Sequence, residues 1–332
     1  MLKNLYKAVA SIAMMLAITS TGGAFAQESS SSSRPKIGLA LGGGGTRGAA
    51  HVRVLKVLTE AGIPIDYIAG TSMGAIVGGM YCAGVPLDQI EERFQSCSLM
   101  KAFMTVPLTV RLIVAPIMVL PRAIGFHPYD GLYYGNKFRK YMDKTVPATE
   151  QNIEELKIPF AAVTTSLIDG KAYSLRTGNF GYALQASSAV PALRKPVQIG
   201  TNLFVDGAMA ANVPVTQVKE MGADIVIAVN VDESFGPVPL DTFRAMGSVS
   251  ERVVKMQLWR EDDPACKQAD VVIHPNVDGI SLLSRRRKDA VKAMDAGERA
   301  AKDALPAIKQ AIANYRVGGE QVSSKIGNAV GK

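Results

Sequence analysis

The sequence predicts an α/β protein built around one sheet. Three observations lead there. From Lys36 onward, short β-leaning apolar runs alternate with segments of helical apolar spacing. Two of those runs end in glycine-rich turns that open directly into helical pattern. No internal repeat divides the 332 residues, of which 48% are hydrophobic and 20% charged, so the chain has length for one large core or two small ones.

In chain order, Met1–Ala26 stands apart. Lys3 and Lys7 form a positive start, Ala8–Ile18 is an apolar run too short to span a bilayer, and Ala24-Phe25-Ala26 has the form of a cleavage site. The expectation is a signal peptide (1–26), with an uncleaved anchor as the alternative, and hence a periplasmic or secreted protein. No cysteine near the site favours a lipid anchor. Residues 27–35, with Ser29–Ser33 in a row, read as a flexible linker. Without Lys3 and Lys7 the formal charge of +8 falls to +6, mildly basic. That suits peripheral contact with an anionic membrane surface and is too diffuse to argue for nucleic acid.

Lys36–Leu41 reads as a buried strand. Gly42-Gly43-Gly44-Gly45-Thr46-Arg47-Gly48 follows, and Ala49–Leu58 is an amphipathic helix. Consecutive glycines leave unhindered N–H groups at a helix start, a setting that binds an anion. In acyl transfer that anion is the oxyanion of the tetrahedral intermediate. The second such unit is the centre of the chain: strand Ile65–Ala69, a turn Gly70-x-Ser72-x-Gly74, then a helix from Met73 to Tyr81. Strand, sharp turn and helix with this spacing make a nucleophile elbow, in which flanking side chains would collide with backbone. The plainer reading of Ser72 is a helix N-cap after a glycine turn.

Pro86–Gln95 reads as a helix. Phe103–Phe126 is apolar, broken by Pro107, Pro116 and Pro121 and flanked by Arg111 and Arg122, and it reads either as covered core or as a flap over an apolar substrate. Tyr134–Met142 is a short basic helix. Ile158–Ser166 and Ala172–Leu175 are strands joined through Asp169-Gly170, a hairpin signal. Tyr182–Ser188 is helical, Leu203–Val205 is a strand leading into Asp206-Gly207-Ala208, and Asp224–Asn230 is a buried strand. Ala245–Arg260 is a helix, Val271–Ile273 a last strand, and Arg285–Tyr315 helical with a break expected at Pro306. The domain is therefore expected over 36–316, with 317–332 a polar tail.

Three cysteines make no disulfide framework, and Cys82 and Cys97 read either as a bridge or as buried thiols. No spacing of histidines, cysteines or carboxylates points to a metal. Of the histidines, His51 reads as packing or capping, while His127 and His274 each precede a proline. Asp206, between a strand and a glycine, can project from a sheet end toward Ser72 or serve as an ordinary turn aspartate. An unperturbed aspartate, with a pKa of about 3.9, is a weak base for a serine hydroxyl, and burial would raise it. Arg47 reads either as a stabiliser of developing charge or, preferably, as a brace for the glycine loop.

Taken together these residues resemble the patatin-like phospholipase family. Its glycine-rich loop of the form G-G-G-x-R/K-G is matched by Gly43-Gly44-Gly45-Thr46-Arg47-Gly48, its G-x-S-x-G by Gly70–Gly74, and its D-G-A/G block by Asp206-Gly207-Ala208. A further block resembles Ala186-Ser187-Ser188-Ala189-Val190-Pro191. The resemblance covers roughly Lys36 to Val231. It implies a three-layer α/β/α sandwich related to α/β hydrolases, with Ser72 as nucleophile and Asp206 as general base. It also implies an oxyanion loop of Gly43, Gly44, Gly45 and Gly48, and hydrolysis of acyl esters in phospholipids or lysophospholipids without a metal or other cofactor. Two other classes compete. Gly43-x-Gly45-x-x-Gly48 also satisfies a dinucleotide-binding pattern with Asp66 as the ribose partner, although Asp66 opens its strand rather than ending it. A catalytically silent lipid-binding protein of the same fold is the other.

Overall fold

The computed structural model describes residues 34–105, 129–245 and 248–329. The signal-peptide reading, nearly all of the serine-rich linker, His127 and most of the Phe103–Phe126 segment lie outside the described residues.

The architecture starts from β1 (Ile37–Leu41), which is buried along its whole length. Alternate residues of a strand face opposite sides, and here the two sides enter different cores. Ile37, Leu39 and Leu41 join a large cluster with α1 (Ala50–Glu60), α2 (Met73–Cys82) and α9 (Arg287–Ala329). Ala40 joins a smaller one with Ala69, Ala161, Val226 and Val218 of α7 (Val215–Glu220). Small side chains on that face let α7 lie close, since a Cβ on Gly38 would run into Val218. Helices thus cover both faces of the sheet, giving the expected α/β/α layering.

The eight strands are β1, β2 (Tyr67–Thr71), β3 (Phe160–Ser166), β4 (Ala172–Leu175), β5 (Val197–Ile199), β6 (Asn202–Asp206), β7 (Ile225–Val229) and β8 (Val271–Ile273). They follow the order β5-β6-β3-β2-β1-β7-β8, with β4 pairing β3. The β1–β2, β2–β3, β1–β7 and β7–β8 pairs are parallel. The β3–β4, β3–β6 and β5–β6 pairs are antiparallel.

One detail of register positions the site. Val163 faces both Thr71 of β2 and Ser174 of β4, while Thr164 faces both Asp206 of β6 and Tyr173 of β4. A strand residue has one neighbour on each side, so β4 holds one edge of β3 and β2 and β6 share the other. They meet there with their carboxyl ends pointing at each other.

Five elements depart from expectation. Strand β5 and helices α4 (Ser98–Phe103) and α7 are too short for a periodic signal. The last helix does not break at Pro306 but runs from Arg287 to Ala329. Pro306 and Lys302 are exposed while Ala301 and Ile308 are buried, so the carbonyl that the proline leaves unbonded faces solvent. Helix α8 (Ser248–Cys266) likewise continues past Arg260 and contains Pro264. Cys82, Cys97 and Cys266 are all free thiols, Cys82 buried.

Candidate active site

Ser72 sits between β2 and α2 with φ 52° and ψ −116°, one of three non-glycine residues with positive φ among those described. This strained conformation costs about 1–3 kcal/mol and persists only where the surroundings impose it. They do so here. A Cβ on Gly70 would lie 2.5 Å from the Ala75 nitrogen, and one on Gly74 would enter the Leu41 carbonyl. The Ser72 N–H donates to Ser187 Oγ at 3.0 Å, and Ser187 Oγ donates to the Val163 carbonyl at 2.6 Å. Ser187 closes α6 (Phe180–Ser187), whose start is capped by Asn179 accepting from the Tyr182 N–H at 2.8 Å.

Asp206 ends β6 opposite the end of β2. Its backbone N–H donates to the Ala189 carbonyl at 3.0 Å, and its Oδ1 accepts from the Ala208 N–H at 3.0 Å. The Ala186–Pro191 block therefore holds Ser72 through Ser187 and Asp206 through Ala189. Gly207 has no room for a side chain, because a Cβ would meet the Val163 carbonyl. Asp206 is 2% exposed. Burial pushes its pKa up to about 6, while hydrogen bonds from the Ala208 N–H and the Ser72 hydroxyl and the charge of Arg194 pull in the other direction. A carboxylate hydrogen-bonded to a serine hydroxyl, with a pKa lifted toward neutrality, is equipped to take the serine proton.

The glycine loop passes beside Ser72, where a Cβ on Gly43 would lie 3.3 Å from Ser72 Cβ. The N–H of Gly42 donates to Val229 and that of Gly43 to Asn212, both to backbone carbonyls. Among the described residues no acceptor is found for the N–H of Gly44 or Gly45. Their N–H groups are thus unengaged, whereas that of Gly43 is bonded. Gly45, at φ +54°, lies against the Leu282 carbonyl, and Gly48 against Met73.

Arg47 is directed away from the serine. Its Nε donates to the Ile280 carbonyl at 2.7 Å and its Nη2 lies 3.0 Å from Glu233 Oε1. Those are the contacts of a brace. His51 is fully buried with Nε2 2.8 Å from the Gly42 carbonyl. Burial pulls its pKa down to about 4 against that bond, so the ring is neutral and carries its proton on Nε2. His274 Nε2 bonds the Asp232 carbonyl at 3.0 Å and lines a cavity of 1110 Å³ behind the loop, with Arg47, Asp262 and Trp259. Neither histidine is among the partners of Asp206.

Sequence reasoning missed Asn212. Its carbonyl holds Gly43, and its Nδ2 donates to Asp232 at 3.0 Å and to Asp262 at 2.9 Å. It carries no motif of its own. The dinucleotide reading fails on Asp66, whose Oδ2 accepts from the Ile37 N–H at 2.8 Å at the amino end of β2, remote from the glycine loop.

An elbow serine, a buried aspartate and two free loop amides at strand carboxyl ends of a mixed sheet define a serine-hydrolase type of site. The profile of the patatin-like phospholipases matches residues 39–219, more than half of the sequence. The chain belongs to that family. It is 34% identical over 203 residues to an uncharacterized NTE family protein of Mycobacterium tuberculosis, covering 61% of this chain and 51% of that one. It is 25% identical over 253 residues to lysophospholipase NTE1 of Yarrowia lipolytica, covering 75% of this chain and 16% of that one. It thus spans about half the length of the mycobacterial relative and a small part of the fungal one. Human GIVD cytosolic phospholipase A2 superposes with a TM-score of 0.49 at 14% identity, over 85% of this chain and 59% of that one.

Proposed function

We propose that the protein hydrolyses acyl esters of phospholipids or lysophospholipids. The observation that carries this is the meeting of β2 and β6, which sets the Ser72 hydroxyl against the Asp206 carboxylate. Asp206 takes the proton as Ser72 Oγ attacks the ester carbonyl. The Gly44 and Gly45 amides receive the oxyanion, and Asp206 hands its proton to the leaving oxygen, so the alcohol departs as the acyl-serine forms. Water, deprotonated by Asp206, then releases the fatty acid and restores the serine. No step requires a metal or cofactor. The substrate class follows the family and the lysophospholipase named among its relatives. Export to the periplasm or beyond rests on Met1–Ala26, and peripheral membrane contact on the mild positive charge.

The test is lipid mass spectrometry after incubating the protein with mixed membrane lipids, with fluorophosphonate labelling in parallel. Free fatty acid and matching lysolipid or glycerophospho-alcohol should accumulate. Ser72→Ala should lose both product and label. Label that survives the substitution places the nucleophile elsewhere.

A further inference from the structure

One buried charge has no task in this chemistry. Arg194, just beyond the Ala186–Pro191 block, is 2% exposed, and its Nε, Nη1 and Nη2 all lack a hydrogen-bond partner among the described residues. Its flat faces are covered, with Cζ 4.6 Å from the ring centroids of both Phe103 and Phe138. Aromatic faces answer the charge but not the five N–H donors along the guanidinium edge. A buried cation without an acceptor is strongly destabilising, and methionine would fill a phenyl-walled slot at no such cost. An arginine here is fitted to an anion that arrives.

The surroundings agree. Gln185 Oε1 and Arg139 Nε are also buried without partners among the described residues. Gln185 and Arg194 converge on Gly135, where a Cβ would meet both Gln185 Nε2 and Arg194 Nη2. Gln185 and Arg139 in turn line a cavity of 390 Å³ with Lys195, Tyr129, Tyr134 and Tyr182, and no described residue of its wall is acidic. Arg139 lies over the Tyr182 ring at 5.3 Å and Lys195 over Tyr134 at 4.5 Å, so the rings are already matched to cations and the space between is open to an anion. The charge of Arg194 is also felt at Asp206, which places the guanidinium and the dyad in one electrostatic environment.

We propose that Arg194, reached past Gln185 from the cavity of Arg139 and Lys195, receives the phosphate of a lipid headgroup while the acyl ester lies at Ser72. A planar guanidinium binds phosphate through two parallel hydrogen bonds, a match that an ammonium lacks. This rests on the lipid-hydrolase reading for its ligand, and free phosphate shares the same chemistry.

The experiment uses the full chain with Ser72→Ala, so that binding is read without turnover. Lysophosphatidylcholine and a monoacylglycerol with the same acyl chain are titrated below their critical micelle concentrations, beside inorganic phosphate. Arg194→Met should weaken lysophosphatidylcholine about ten- to hundredfold, the usual loss of a hydrogen bond to a charged group. It should leave monoacylglycerol affinity unchanged and the melting temperature equal or higher. Arg194→Lys should recover part of the loss. Equal weakening of both lipids, or none for the phospholipid in a folded variant, overturns the proposal. Inorganic phosphate binding as tightly as the lysophospholipid overturns the headgroup in favour of a free-phosphate site. If Arg194→Met loses its cooperative melt, the partly exposed pair Arg139→Gln with Lys195→Gln reads the same selectivity. A several-fold loss confined to the phospholipid supports the site, and unchanged selectivity removes it. Failure of the wild-type chain to release fatty acid would count against the hydrolase reading and leave these binding results standing.

Discussion

His51 donates a hydrogen bond from Nε2 to the carbonyl of Gly42, so a fully buried imidazole anchors the first residue of the glycine run. The bond needs a proton on Nε2, and burial keeps the ring otherwise neutral. Its folded pKa of about 4 lies below the ordinary histidine value of 6.5, so on acidification the unfolded chain takes up the proton first. The contribution is fully present above pH 6.5 and is lost as pH falls through that value toward 4, by about 3 kcal/mol. His51→Gln keeps a side-chain N–H donor without a titrating ring. Its unfolding free energy in urea should show a shallower decline between pH 6.5 and 4 than wild type, while turnover at pH 8 stays within about tenfold.

Asp206 titrates with the opposite sign. Its folded pKa is raised from 3.8 to about 6, so burying the carboxylate costs stability above pH 6, a cost that fades as pH falls toward 4. Asp206→Asn should raise stability at pH 8 by about 2–3 kcal/mol and match wild type near pH 4. The same variant should lose two to four orders of magnitude in turnover. Wild-type kcat/KM should fall tenfold per unit below about pH 6, where the base is protonated. In wild type the two titrations partly cancel, so each substitution exposes the slope of the other.

The strand–turn–helix units at Gly42–Gly48 and Gly70–Gly74 were legible in the sequence because glycine spacing there answers direct collisions, with Ala75 at Gly70 and Leu41 at Gly74. Asp206 was legible as a residue between a strand and a glycine. Its projection toward Ser72 was expected, but the strand arrangement that achieves it was not legible, since β2 and β6 share one edge of β3. Arg194, Ser187 and Asn212 act through partners far away in sequence, and local pattern carries no trace of such pairings. The bond from the Gly43 N–H to the Asn212 carbonyl was hidden for the same reason.

Gly44 and Gly45 should respond differently to a methyl group. At Gly45 the backbone is left-handed and the new Cβ would enter the Leu282 carbonyl, so Gly45→Ala should lose its cooperative melt. At Gly44 the Cβ would lie 2.7 Å from Val231 Cγ2, a side chain that can be shortened. Gly44→Ala should fold, shift its N–H and lose about 3 kcal/mol of transition-state stabilisation, a hundredfold or more in kcat. Val231→Ala in the Gly44→Ala background should recover most of that loss. Steady-state kinetics on a short soluble ester across the four proteins of the cycle decides it. A double variant no better than Gly44→Ala would show that the Val231 contact is not what displaces the donor.

Behind the loop, Asn212 bridges the half-buried Asp232 and the buried Asp262, carboxylates that share a hydrogen bond. Burial raises both, and the Asp232 charge lifts Asp262 further, well above the usual carboxylate range. Arg47 and His274 oppose the rise at Asp232, and Glu233 adds to it. One proton is therefore held between the pair at neutral pH, which leaves both acids able to accept from Asn212. When alkali removes it, two facing carboxylates repel, and the residue whose carbonyl accepts the Gly43 N–H is pulled from its place. The raised pKa makes this a loss of stability as pH rises through the folded value. Wild type should show an alkaline fall in kcat/KM on a short soluble ester, reversible on return to neutral pH. Asp262→Asn supplies a permanent donor where the shared proton stood, and should carry activity further into alkali with little change at pH 7. An unchanged alkaline limb in a folded Asp262→Asn protein would assign that limb to another group.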